Sequence, residues 1–143
     1  MTAITAAVSG LQASIAELDA SAENLANAQS DGPLAGSGWG PATVVGSSGA
    51  SGGAPQAYQP VTAVDTTGSD ASVSVSYAPV TPATEPAYDP TSPFADANGL
   101  VARPNVDPAT EIVGQTSSLL SFKANLASLK VAEEMQQSLL AIA

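Results

Sequence analysis

After Pro108 no further proline occurs and Gly114 is the only glycine, so nothing in the last quarter of the chain is set to stop a helix. Leu119, Phe122, Leu126 and Leu129 fall three and four residues apart, the spacing that lines one helical face. The start is well marked. Asp107 can accept hydrogen bonds from the first free backbone N–H groups, Pro108 lacks the N–H that would go unused there, and Glu111 sits near the positive end of the helix dipole. The spacing therefore predicts one long amphipathic helix from Pro108 to Ala143. Beyond Leu129 the apolar positions resume as Ala132, Met135, Leu139 and Ile142. The step of three after Leu129, where a heptad needs four, overwinds a coiled coil or turns the stripe toward another neighbour.

A second helix is predicted at the other end, from Ala3 to Asn27 with Thr2 as its cap. Ile4, Val8, Leu11, Ile15, Leu18, Ala22 and Leu25 alternate in steps of four and three, a regular heptad seam. Thr5, Ser9, Gln12, Glu17, Asp19 and Glu23 make the other face polar, and Gly10 falls mid-helix. There is no basic leader and the apolar residues are interspersed with polar ones, so this helix is expected to be neither a cleaved signal peptide nor a membrane span.

Between the helices the character changes. From Ser30 to Pro60 glycine, serine, proline and alanine dominate, and no fold of its own is expected there. Trp39, between Gly38 and Gly40, is either a ring covering a local apolar patch or an anchor for a partner. From Ala57 to Val80 the period switches to two. Val61 and Val64 form one β-prone run, and Ser72 to Tyr77 alternate polar and apolar. Asp65 to Asp70 is turn-rich, so a hairpin bounded by Pro60 and Pro79 is predicted. Leu100 to Arg103, following the turn Ala97-Asn98-Gly99, is expected to add a short strand. The expected fold class is mainly α with a small β insertion, the terminal helices forming a coiled-coil-like pair. Its segments are an N-terminal helix (1–28), a loop (29–56), a β-rich insertion (57–107) and a C-terminal helix (108–143).

At 143 residues with 4% aromatics, the chain has one domain's length but little to bury. Neighbouring copies are expected to complete the packing. With no cysteine, disulfides and thiolate chemistry are excluded. With no histidine, the usual general base and the commonest metal ligand are missing. Three basic residues stand against thirteen acidic ones, a net charge of −10, which argues against a nucleic-acid partner. Arg103, Lys123 and Lys130 all lie in the C-terminal part while the first helix carries only acids. One copy's first helix can thus meet another's last helix with favourable sign. Asp89 and Asp96 flank a turn-rich segment without the later glutamate of a calcium loop, and the adjacent Glu133 and Glu134 diverge on a helix. No catalytic, cofactor or metal site is expected, and an enzyme is disfavoured.

Tyr88-Asp89-Pro90, Pro93 and the run Ala95 to Asp107, with Gly99-Leu100-Val101 and Pro104-Asn105-Val106, closely resemble the signature of the FlgC family of bacterial flagellar proximal rod proteins. Glu111, Ile112 and Val113 continue the likeness. Phe122-Lys123-Ala124-Asn125 is similar to a motif in the last helix of axial flagellar proteins, and Asn24-Leu25-Ala26-Asn27-Ala28 to the motif ending their first helix. The loop after Asn27 lacks the family's threonine-x-glycine-tyrosine pattern, and Arg103 stands where an aromatic or methionine is usual. Physically, Asn24 and Asn27 can cap free carbonyls where the first helix ends and Asn125 can set register against a neighbour, or all three are polar residues on exposed helix faces; Asn98-Gly99 supplies a positive φ.

The resemblance implies a structural rod subunit of the flagellar basal body in the periplasmic space. Such a subunit is exported by the flagellar type III system and polymerised helically to carry torque from motor to hook. Its implied partners are other rod subunits, the protein joining the rod to the MS ring, and the export gate. The implied subunit interface comprises Ile4, Val8, Leu11, Ile15, Leu18, Asn24, Leu25 and Asn27 on the first helix. On the last helix it comprises Ile112, Leu119, Phe122, Asn125, Leu126, Leu129, Met135 and Leu139. The alternatives are a helical adaptor or export chaperone binding one client, and a sibling rod protein.

Overall fold

The computed structural model describes residues 3–36, 55–69 and 72–142. Thr2, Trp39, Asp70 and the glycine cluster from Gly46 to Gly53 lie outside the described residues. The described elements are α1 (Ala3–Ala26), β1 (Val61–Thr67), β2 (Val73–Pro79), β3 (Thr84–Tyr88), β4 (Leu100–Pro104) and α2 (Pro108–Leu140). In chain order two small two-stranded sheets, β1 with β2 and β3 with β4, fall between the two long helices. The chain divides into two compact units. One gathers Met1–Leu25, Val61–Ala78 and Asp107–Ala143, and the other Ala26–Pro60 and Pro79–Val106.

In the first unit α2 begins where the sequence places it. Asp107 Oδ1 accepts the Ala109 N–H at 3.0 Å, and Oδ2 accepts the Thr110 hydroxyl at 2.7 Å. Pro108 occupies the first turn and Glu111 supplies its acid. At 33 residues the helix is about 50 Å long. It ends at Leu140, where Ala141 donates its N–H back to Gln137.

The two helices meet through an antiparallel register. Gly10 lies against Asn125, Glu17 accepts from the Ser118 hydroxyl at 2.6 Å, and Asn24 donates to Glu111 Oε1 at 2.9 Å. Each contact falls seven residues from the next on both helices, two turns of a helix in register with its neighbour.

The face that α1 buries is therefore not the aliphatic seam. Ala7, Ala13 and Ala20 are its buried apolar residues, with Ser9, Ser14, Ser21 and Asn24 as buried polar ones. Small side chains let helix axes approach closely, and each polar one is satisfied. Ser14 donates to Gly10 O and Ser21 to Glu111 O. Ser9 donates to Ala6 O and accepts the Val73 N–H, which ties β2 to α1.

The β1–β2 hairpin is longer than its turn residues suggest. Asp65, Thr66 and Thr67 belong to β1 rather than to the turn, and Gly68 donates to Ser72 O where the strands part. Two threonines have high strand propensity, which carries the ladder past the aspartate.

In the second unit β3 and β4 pair antiparallel, Thr84 opposite Pro104 and Tyr88 opposite Leu100. β4 matches its expected run. β3 escapes a sequence reading because Pro86 sits mid-strand, which is tolerated only at an edge. The stretch expected to lack structure is pinned at both described ends. Gly32 and Ala102 exchange backbone hydrogen bonds, and Tyr58 donates to Ser30 O. Gly32 has no room for a side chain, since a Cβ there would collide with the Ala57 backbone. Val101 and Pro60, the largest fully buried side chains, lie in this unit.

Candidate functional site

The signature segment works as a set of local fasteners in the second unit. Asp89 Oδ1 accepts from the Thr91 hydroxyl at 2.7 Å and the Thr91 N–H at 3.1 Å. These bonds, the hydroxyl's first, hold its carboxyl below the usual range. Asp96 Oδ1 accepts the Leu100 and Asn98 N–H groups, and the Leu100 bond leads in lowering its carboxyl likewise. Gly99 adopts φ +77°, the positive value expected of the Asn98-Gly99 turn. Asn105 donates its side-chain amide to Pro82 O and its backbone N–H to Ala83 O. Both aspartates are thus occupied by their own turns. Arg103 makes a two-pronged ion pair with Asp31, at 3.2 and 2.9 Å, and the arginine is held more strongly protonated by that bond.

In the first unit Asn24 is the joint of three elements. Its side-chain amide donates to Val61 O and Glu111 Oε1, and its carbonyl accepts the Val61 N–H at 3.0 Å. The sequence expectation that Asn24 caps the carbonyls ending α1 is corrected here. At 3% exposure it fastens α1 to the starts of β1 and α2. Asn27 does stay at the helix end, its side-chain oxygen accepting the Ser30 hydroxyl. Asn125, expected against a neighbour, lies against Gly10 of its own chain.

A groove of about 310 Å³ runs beside this joint, lined by Glu17, Ser21, Asn24, Glu111, Ser118 and the start of β1. Glu17 and Glu111 act there as hydrogen-bond acceptors for Ser118 and Asn24. Asp65, from β1, approaches Glu17. Burial, and then the neighbouring carboxylate, push its carboxyl above the usual value. Among the described residues no group of three or more acidic side chains is placed to hold a metal ion. None of the described helices is long and apolar enough to cross a membrane.

None of the large aliphatic residues named for the helices is fully buried. Val8 and Ile15 are exposed on α1, while Ile4, Leu11, Leu18 and Leu25 are half-buried. On α2 Ile112, Leu119, Leu126, Met135 and Leu139 are exposed, and Phe122 and Leu129 are half-buried. A chain this size rarely leaves so many large apolar side chains in water without a use for them. Sequence reasoning found this stripe by its heptad spacing. It missed the inner stripe, because alanine, serine and glycine at the same spacing carry almost no hydropathy contrast.

No family model matches the chain. Curated proteins do. The flagellar basal-body rod protein FlgC of Bacillus subtilis (strain 168) is 44% identical over 55 residues, which is 38% of this chain and 37% of that protein. FlgC of Salmonella typhimurium is 44% identical over 48 residues, 34% of this chain and 36% of that protein. FlgC of Aquifex aeolicus is 38% identical over 48 residues, with the same coverage. The match spans little more than a third of these relatives' length, and over that stretch the chain is similar to flagellar basal-body rod proteins, as its motifs imply.

Proposed function

We propose that the chain is a structural subunit of the bacterial flagellar proximal rod, residing in the basal body and polymerising helically to transmit torque to the hook. Its similarity to rod proteins from distant bacteria carries the reading. Its two long helices, which hold each other by small and polar residues and leave their aliphatic stripes outward, support it.

In this reading residues 1–28 and 108–143 build the inter-subunit helical layers, in coiled-coil-like packing, and the segment 57–107 makes contacts outside them. The partners are other rod subunits, the protein joining rod to MS ring, and the export gate. Among the described residues the first unit buries only alanines as apolar side chains, and a core that small would suit passage through a narrow export channel. The role is structural rather than enzymatic. A single-client adaptor would give a discrete complex instead of a helical assembly. Deleting the gene and imaging isolated basal bodies tests the reading. MS rings without rods support it, and complete rods without the protein overturn it.

A further inference from the structure

The outer stripe of α1 and the 119–130 stretch of α2 differ in charge. On α1 the exposed Val8 and Ile15 and the half-buried Leu11 and Leu18 step by three and four, and the exposed Asp19 flanks them. Every charged residue of α1 is acidic. On α2 Leu119, Lys123, Leu126 and Lys130 step by four and three along one exposed side, away from the stripe that faces α1. Neither lysine has an ion-pair partner among the described residues, where Arg103 and Asp31 form the one ion pair. Pairing α1 with another α1 would set acid against acid. Pairing α2 with another α2 would set lysines together.

We infer that the Leu119–Lys123–Leu126–Lys130 side of α2 takes the outer aliphatic stripe of α1 from a second copy. The inference rests on the rod-subunit reading and adds to it which face meets which. Both stripes repeat at heptad spacing, so the leucines can interdigitate with Val8 and Ile15 while the lysines reach the acidic flank. Because the two faces are different surfaces of one molecule, a pair of copies still has one of each free. Such a contact is heterologous and propagates into a helical array unless it closes into a ring.

The absence of cysteine makes the test direct. The Ile15→Cys and Leu126→Cys variants of the full chain, one of them tagged, are mixed at high concentration and treated with a short bismaleimide. Circular dichroism confirms that both remain helical. The mixed product is expected to exceed either self-product by about tenfold. It is expected to fall by a similar factor when Lys123→Glu and Lys130→Glu are added to the second variant. Predominance of either self-product, or no product between copies, overturns the inference. So does a yield indifferent to the lysines. The rod reading is scored separately, by immunodetection of the protein in purified basal bodies. Its presence there, with no mixed product, rejects the contact and keeps the rod.

Discussion

Gly10 of α1 and Asn125 of α2 fit together because one lacks what the other supplies: a Cβ at Gly10 would lie 2.7 Å from the Asn125 amide nitrogen. Mid-helix glycine ordinarily costs up to about 1 kcal/mol relative to alanine, so Gly10→Ala would stabilise an isolated helix. Here it is expected to lower the melting temperature of the chain. Adding Asn125→Ala removes the obstruction and is expected to restore it, and a thermal-denaturation double-mutant cycle measures the coupling.

Gly114 gives the opposite outcome. Nothing lies within 4 Å of where its Cβ would be and its φ is not positive. Gly114→Ala is expected to stabilise by about 0.5–1 kcal/mol in denaturant titration.

Asn24→Ala strips partners from both backbone groups of Val61 and from Glu111. Leaving buried polar groups unpaired costs about 1–3 kcal/mol, and loss of that order is expected. Amide exchange at Val61 checks it locally, since its N–H loses its acceptor.

The carboxyl groups predict two opposite pH responses. Asp65 is raised in the folded chain by burial and by Glu17. Its favourable contribution is complete below the unfolded carboxylate value and is lost as pH rises through the folded one. Asp65→Asn is therefore expected to raise the melting temperature at about pH 7 and to matter least in strong acid. Asp107 is lowered, first by the Thr110 hydroxyl and then by the Ala109 N–H. Its contribution is present above the unfolded value and lost as pH falls through the folded one. Asp107→Ala is expected to destabilise at neutral pH, with the difference from the parent chain closing in strong acid.

Both helices were legible in the sequence because apolar residues recur at steps of three and four, and the start of α2 because Asp107 and Pro108 mark it. The hairpin and β4 were legible by alternation and by the Asn98-Gly99 turn. β3 was not, since Pro86 argues against a strand unless an edge is known in advance. Nor was the inner register. It is written in Gly10, Glu17 and Asn24 opposite Asn125, Ser118 and Glu111. Their meaning is mutual fit, which no single helix displays. The link from Arg103 to Asp31 was equally hidden, because it joins residues far apart in the chain.

The central claim is that the outward aliphatic faces serve assembly while the inward small-residue faces serve the fold. Leu126 is half exposed, and Leu18 is half-buried on the aliphatic stripe of α1. The decisive measurement is electron microscopy of basal bodies from deletion strains that express Leu126→Asp or Leu18→Asp. The account predicts normal levels of the variant protein and MS rings without rods. Normal rods in either strain would contradict it.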